Sequence, residues 1–250
     1  MRKIAILNQK GGVGKTTTSI NLGAGLAARG KKVLLVDLDP QSHLTDGLGL
    51  QQEGKKTIYD LMKGQAEIEE VLVERENGLK ILPADIELAA AEIELAATLG
   101  RELKLRSALN GLQDYDYVLV DCPPSLGLLT INALSYVNEV FCCIQPEYFA
   151  LQGTRRLIDT IDLVKQIFNK ELDVTGVIIT LYDSRKNLTR EVEEQIRTFF
   201  KEKAFKTVIR NNVSLAEAPG HGKSIFEYAP ESRGAEDYAA LCAEIMEGRG

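Results

Sequence analysis

Positive charge is in short supply in this 250-residue chain: 30 Lys and Arg stand against 36 Asp and Glu, giving a formal net charge of -6 and a pI near 5.2. A surface that is basic all over is thereby excluded, and any contact with nucleic acid has to come from a local patch. Cysteine is scarce as well. The four present, Cys122, Cys142, Cys143 and Cys242, show no C-x-x-C spacing, and the adjacent pair sits in an apolar run where thiols read as small buried hydrophobes. No apolar stretch approaches the roughly 18 residues of a membrane span. Met1-Arg2-Lys3 leads into a strand-like segment instead of a secretion signal, so the expected location is the cytoplasm. With 21 Gly and 7 Pro, and no low-complexity linker or internal repeat, the composition is that of an ordinary folded chain rather than a disordered one. Its 44% hydrophobic content can bury a sizeable core, and a single domain over residues 1–250 is expected, with the polar stretch Gln51 to Lys56 as a surface loop.

What is present is a repeated alternation. Ile4 to Leu7 is short and continuously apolar, as a parallel strand buried on both faces reads. A glycine-rich turn follows, then helix formers from Lys15 to Arg29 with Gly30 in the place of a capping glycine, then the strand-like Val33 to Val36. Further strands are expected at Leu79 to Leu82, Tyr117 to Val120, Val140 to Ile144, Val174 to Ile179 and Thr207 to Ile209. Helices are expected over Ile86 to Leu99, Glu102 to Leu112 and Ala235 to Met246. Two more are marked by the stripes Leu157, Ile161, Val164, Phe168 and Leu188, Val192, Ile196, Phe199. Such alternation predicts an α/β fold, a doubly wound and mostly parallel sheet flanked by helices.

The strongest chemical signal lies between the first strand and the first helix: Gln9-Lys10-Gly11-Gly12-Val13-Gly14-Lys15-Thr16. Glycines let backbone N–H groups curl around a phosphate, and the helix N-terminus adds partial positive charge. Lys15 can then reach the β and γ oxygens, the Thr16 hydroxyl can hold Mg²⁺, and Thr17 can add a contact to the α-phosphate. Two acids, Asp37 and Asp39, end the second strand, and a period of two predicts that they share one side of it, next to the phosphate loop. Asp121 closes the apolar run Tyr117 to Val120 and is followed by Pro123 and Pro124, the position of an acid that holds Mg²⁺ through water.

One departure from the common phosphate loop gives the chain a likeness. Gln9 stands where the standard loop has glycine, and Lys10 is an added lysine. The stretch Lys10 to Thr16 resembles the deviant Walker A motif of the ParA/MinD group of P-loop ATPases, and the likeness to the ParA/Soj-type DNA-segregation ATPases extends through Asp121 to Leu134, Pro146 to Leu151, Asp183 to Arg185 and Glu217 to Lys223. That resemblance implies the P-loop NTPase fold and a slow, partner-stimulated, Mg²⁺-dependent hydrolysis of ATP. It implies that Lys10 reaches across an ATP-dependent homodimer to the partner's nucleotide, and that Asp39 positions the attacking water. An aspartate, with an ordinary pKa of about 3.9, orients water near pH 7 better than it deprotonates it. It further implies that Asn211 and Pro219 lie over the adenine. Non-specific double-stranded DNA would be held through basic residues of the C-terminal third, for which Arg185, Lys186, Arg190, Arg210 and Lys223 are the candidates. A ParB-type centromere-binding partner would stimulate hydrolysis, and the protein would associate with the nucleoid.

Two stretches depart from the family. Relatives commonly carry Arg-Asn-Val-Arg where this chain reads Asn211-Asn212-Val213-Ser214, and two fewer phosphate contacts per subunit would weaken DNA binding by about one to two decades at moderate salt. Gln41 to Asp46 departs from the small-residue pattern that follows Asp-Pro-Gln. Three alternatives stand beside the segregation reading. A MinD-like membrane positioner needs a basic amphipathic tail, whereas Glu236, Asp237, Glu244 and Glu247 face a single Arg249. A nitrogenase iron-protein-like ATPase needs well-placed thiolates from each subunit. A ParA-like positioner of another cargo, such as a chemotaxis or flagellar assembly, uses the same cycle. Because the first strand begins at residue 3, no N-terminal helix-turn-helix is expected, and with it no operator-specific repression.

Overall fold

The structure is a computed structural model and describes residues 1–248. Among these the chain lays down eight strands: β1 (Arg2–Leu7), β2 (Val33–Asp37), β3 (Val73–Glu74), β4 (Lys80–Leu82), β5 (Tyr117–Asp121), β6 (Glu139–Ile144), β7 (Asp173–Tyr182) and β8 (Ala204–Arg210). The helices are α1 (Lys15–Ala27), α2 (His43–Gly47), α3 (Ile58–Lys63), α4 (Ile68–Val71), α5 (Leu88–Glu94), α6 (Lys104–Ala108), α7 (Leu128–Tyr136), α8 (Ala150–Ile167), α9 (Asn187–Phe200), α10 (Val213–Glu217), α11 (Ile225–Tyr228) and α12 (Arg233–Met246).

The strands form one sheet in the order β3-β4-β2-β5-β1-β6-β7-β8, parallel throughout except where the short β3 runs antiparallel to β4. This is the doubly wound sheet that the alternation predicts. Its two-residue period sorts side chains between two cores. Ala5, Leu7, Leu34, Val36, Val118 and Val120 point into the layer with α7, α8 and α9. Ile4, Ile6, Val33, Leu35, Tyr117 and Leu119 point into the layer with α1 and α12. Because both faces are covered, the central strands carry no polar alternation, which is why they read as unbroken apolar runs.

Helix α1 lies so close to the sheet and to its neighbours that side chains are excluded at two places. A Cβ at Gly23 would come within 2.6 Å of Leu35, and one at Gly25 within 2.6 Å of the Cys242 sulfur. The sequence expectation needs correcting between residues 86 and 112. Instead of two long helices there are α5, a 3₁₀ turn at Leu95–Ala97, a left-handed Gly100, a second 3₁₀ turn at Arg101–Leu103 and α6. Only a narrow stripe there, Leu88, Ala91, Leu95, Leu105 and Leu109, is fully buried in the core, so packing does not sustain a longer helix. The stretch Gln51 to Lys56 is a loop, as expected.

Candidate functional site

The carboxyl ends of β1, β2 and β5 meet at the middle of the sheet, where ligands collect in open α/β folds. The loop leaving β1 is shaped by side chains from neighbouring strands. Asn8 donates to the carbonyl of Cys143 (2.5 Å) and accepts from the Lys10 amide (3.0 Å), while the Thr180 hydroxyl donates to the Val13 carbonyl (2.7 Å). Gly12 and Gly14 both take left-handed backbone angles, φ 73° and 86°, which a side chain would oppose. Gly14 caps α1 without any side-chain hydrogen bond, and no acidic residue lies in the first turn, so the helix presents its amides and partial positive charge to the cleft.

That cleft has a volume of about 650 Å³. Gly11, Gly12, Gly14, Lys15, Thr16 and Thr17 form one wall, Asp39, Gln41, His43 and Asp46 another, and Pro124, Leu181, Pro219 and Gly220 close it. Lys15 is 6% exposed and its ammonium donates to the Lys10 carbonyl at 3.4 Å. Gln9 and the buried Val13 shape the loop rather than line the cleft.

The two acids of the second strand part company. Leu34, Val36 and Leu38 all enter the first core, so the period of two puts Asp37 and Asp39 together on the other side, and the chain turns only at Pro40 and Gln41; the two acids differ in depth. Asp37 is fully buried and outside the cleft; Asp39, 7% exposed, lines it. Asp37 accepts from the Thr45 amide (3.0 Å) and hydroxyl (2.7 Å) and from the Asp39 amide (3.2 Å). Burial, and then the neighbouring Asp121 charge, push its pKa up to about 7 against those hydrogen bonds. Asp121 is also fully buried. It accepts from the Thr16 hydroxyl (2.8 Å) and the Ser19 hydroxyl (2.8 Å), and burial raises its pKa to about 6 despite those donors and the nearby Lys15. The adjacent oxygens of Thr16 and Asp121 form a hard, all-oxygen donor set that suits Mg²⁺.

A smaller cavity of about 100 Å³ adjoins the first. Its lining includes Thr17, Thr180, Leu181, Asn211, Leu215 and Ala216. Leu181 borders both spaces with a φ of 52°, an uncommon backbone for a branched residue. Asn211 thus lines the smaller cavity and Pro219 the cleft it adjoins. Lys10 is exposed on the rim, its ammonium held by Glu147 and at 3.5 Å by Gln145.

Sequence reasoning overlooked Ser19, Gln41, His43, Asp46 and Glu147. The helical spacing of Ser19 from Thr16 was available as a signal, whereas Glu147 becomes visible only once β6 lies beside β1.

Of the basic candidates, Arg185 and Lys186 are exposed and share Asp183, whose pKa Arg185 lowers to about 2. Arg190 forks onto the Ser184 carbonyl. Arg210 is committed to Asp237 and Glu236, with contacts of 2.6 to 3.0 Å. Lys223 is exposed beyond the turn that carries Pro219.

Comparison with known proteins fits this geometry. A family model described as an AAA domain matches residues 1–174. The chain is 49% identical over 245 residues to the sporulation initiation inhibitor protein Soj of Bacillus subtilis, spanning 97% of each chain. It is 46% identical to the chromosome partitioning protein ParA of Myxococcus xanthus, over 98% of this chain and 88% of that one. Among solved structures, a Mycobacterium smegmatis protein described as cobyrinic acid a,c-diamide synthase, with bound ADP and magnesium, superposes with a TM-score of 0.86 at 36% identity, covering 99% and 94% of the two chains. On these likenesses and on the phosphate loop between β1 and α1, the chain belongs to the Soj/ParA family of chromosome-partitioning P-loop ATPases.

Proposed function

We propose that this protein, acting as one domain in the cytoplasm, binds Mg²⁺ and ATP and pairs face to face with a second copy. The paired form holds nucleoid DNA without sequence preference until a ParB-type partner speeds hydrolysis and releases it. The observation that carries the reading is the cleft itself, which gathers Gly11, Gly12, Gly14, Lys15, Thr16, Thr17 and Asp39 around the N-terminus of α1, with the buried Asp121 behind Thr16 and bonded to it. Backbone amides and Lys15 would take the phosphates, and Thr16 and Asp121 would hold the metal, which screens phosphate charge when bound. Asp39 stands in the cleft wall with its carboxylate held by the Gln41 amide (3.0 Å), which suits a group that orients water. Asn211 and Pro219 border the space for the base.

Lys10 is the intersubunit residue in this reading. Its exposure, its pairing with the half-exposed Glu147 and its long contact to Gln145 leave it free to exchange those partners for a phosphate at little cost. For DNA, Arg185, Lys186, Arg190 and Lys223 are the exposed contacts, Arg190 being held at the Ser184 carbonyl, while Arg210 is bound to α12 through Asp237.

The other readings lose support on physical grounds. Tyr238, Leu241, Cys242 and Ile245 of α12 enter the second core, so that helix has no apolar face left for lipid; Arg249 lies outside the described residues. No helix among the described residues is long and apolar enough to cross a membrane. All four thiols are buried, and burial pushes those of Cys142, Cys143 and Cys242 up to about 12, which disfavours a cluster bridging two subunits. A ParA-like positioner of another cargo differs only in the adaptor it meets.

Light scattering with ATP, with ADP and without nucleotide tests the cycle, repeated with non-specific DNA at several salt concentrations. ATP should double the mass and create a salt-sensitive DNA complex. A mass that ignores nucleotide would overturn the reading.

A further inference from the structure

The stretch after Asp39-Pro40-Gln41 is built around a clamp. Residues 38–44 leave the end of β2 and return to α2, and the two ends are fastened together by Asp37 and Thr45 through both the amide and the hydroxyl of Thr45 (3.0 and 2.7 Å). Both clamp residues are almost wholly buried, at 0% and 1% exposure. The same hydroxyl accepts from the Ala84 amide (3.0 Å), which fixes the clamp to the loop that follows β4. Inside the closed segment, the Ser42 amide donates to the Asp39 carbonyl (2.8 Å), and Ser42 takes a left-handed φ of 48° to complete the turn. The segment presents Asp39, Gln41 and His43 to the cleft.

We propose that Thr45, backed by Asp37, is a positioning residue for ATP hydrolysis: its hydroxyl joins the end of β2, α2 and the loop after β4, and so fixes where the Asp39 carboxylate points. Asp37 on this view touches no nucleotide. The proposal rests on the reading of Asp39 as the group that orients water. The phosphate loop makes none of these clamp contacts, so loosening the clamp should slow the chemistry and spare binding. Replacing Thr45 by valine keeps the shape, removes the hydroxyl, and strips partners from one buried acceptor and one buried donor.

The test uses the full-length protein with Mg²⁺ and ATP and compares Thr45→Val, Thr45→Ser and Asp39→Ala. Three quantities are read: single-turnover hydrolysis, the Kd of a fluorescent ATP analogue, and amide hydrogen exchange across residues 39–46. Misaiming a reacting group by a fraction of an ångström should cost Thr45→Val about tenfold or more in rate while Kd stays within about threefold. Exchange in the segment should rise, and Thr45→Ser should restore both rate and protection. Hydrolysis by Thr45→Val at the wild-type rate would sink the proposal, as would a Kd that weakens in step with the rate or a serine variant that fails to rescue. An Asp39→Ala variant that hydrolyses normally overturns the water-orienting reading instead, whatever the Thr45 variants do.

Discussion

The centre of the sheet and its β7–β8 end treat charged side chains in opposite ways. At the centre, Lys15, Asp37, Asp39 and Asp121 are all less than a tenth exposed, and each has a hydrogen-bonding partner. At the β7–β8 end, Arg185 and Lys186 have side chains 86% and 71% exposed, sharing one carboxylate. Charges taken out of water are costly unless their partners are fixed, so the central set must keep one geometry. Phosphate contacts made through long exposed side chains need only charge and reach, so the outer set is free to vary.

If that contrast holds, substitutions at the centre should act steeply and one by one. Lys15→Ala should weaken ATP binding by about two decades or more, since it removes a charge-assisted contact inside a buried site, as titration with a fluorescent ATP analogue will show. Asp39→Ala should lower hydrolysis by about two decades or more while ATP still binds and the dimer persists, read by phosphate release beside light scattering.

A sharper test of the centre uses pH. Burial raises the pKa of Asp37 to about 7 and that of Asp121 to about 6, so the folded chain holds more protons than the unfolded chain between about pH 4 and those values. Their contribution is therefore full below about pH 4 and is lost as pH rises through 6 and 7. Asp37→Asn should gain stability relative to wild type on moving from pH 5 to pH 8, by roughly 2 kcal/mol, measured by denaturant unfolding without nucleotide.

At the rim the effects should be smaller and additive. Removing Arg185 and Lys186 together should flatten the salt dependence of DNA binding by about one unit of slope for each phosphate no longer neutralised, measured by anisotropy. Arg210→Ala should instead act mainly on stability, at about 1–3 kcal/mol, because it leaves the buried Asp237 carboxylate short of donors. The smallest effect is expected at Glu147→Gln, which releases Lys10 from an exposed pair and should shift ATP-dependent dimerisation by no more than about fivefold.

The parallel strands and the phosphate loop were legible because their signals are local: a β-branched or aliphatic run has few other fates, and glycines before Lys15-Thr16 have a specific backbone purpose. The burial of Asp37 was not legible, for an equally definite reason. Its spacing from Asp39 puts both acids on one side of the chain, opposite Leu34, Val36 and Leu38, but only the return of α2 supplies Thr45 as its partner and leaves Asp39 alone to line the cleft. The helices between residues 86 and 112 were overdrawn because helix propensity is a weak local preference that needs a core to pack against, and the core there is narrow.

The sequence alone determined the parallel strands and the phosphate-loop signature at the head of α1, since backbone conformation and hydrophobic period are properties of short stretches. Only the tertiary structure decided which of two neighbouring acids faces the cleft, what holds Lys10, and which arginine is already paired. Those outcomes depend on groups far apart in the chain, Asp37 with Ala84 through Thr45 and Arg210 with Asp237, and desolvation makes such pairings binding only when folding brings them together.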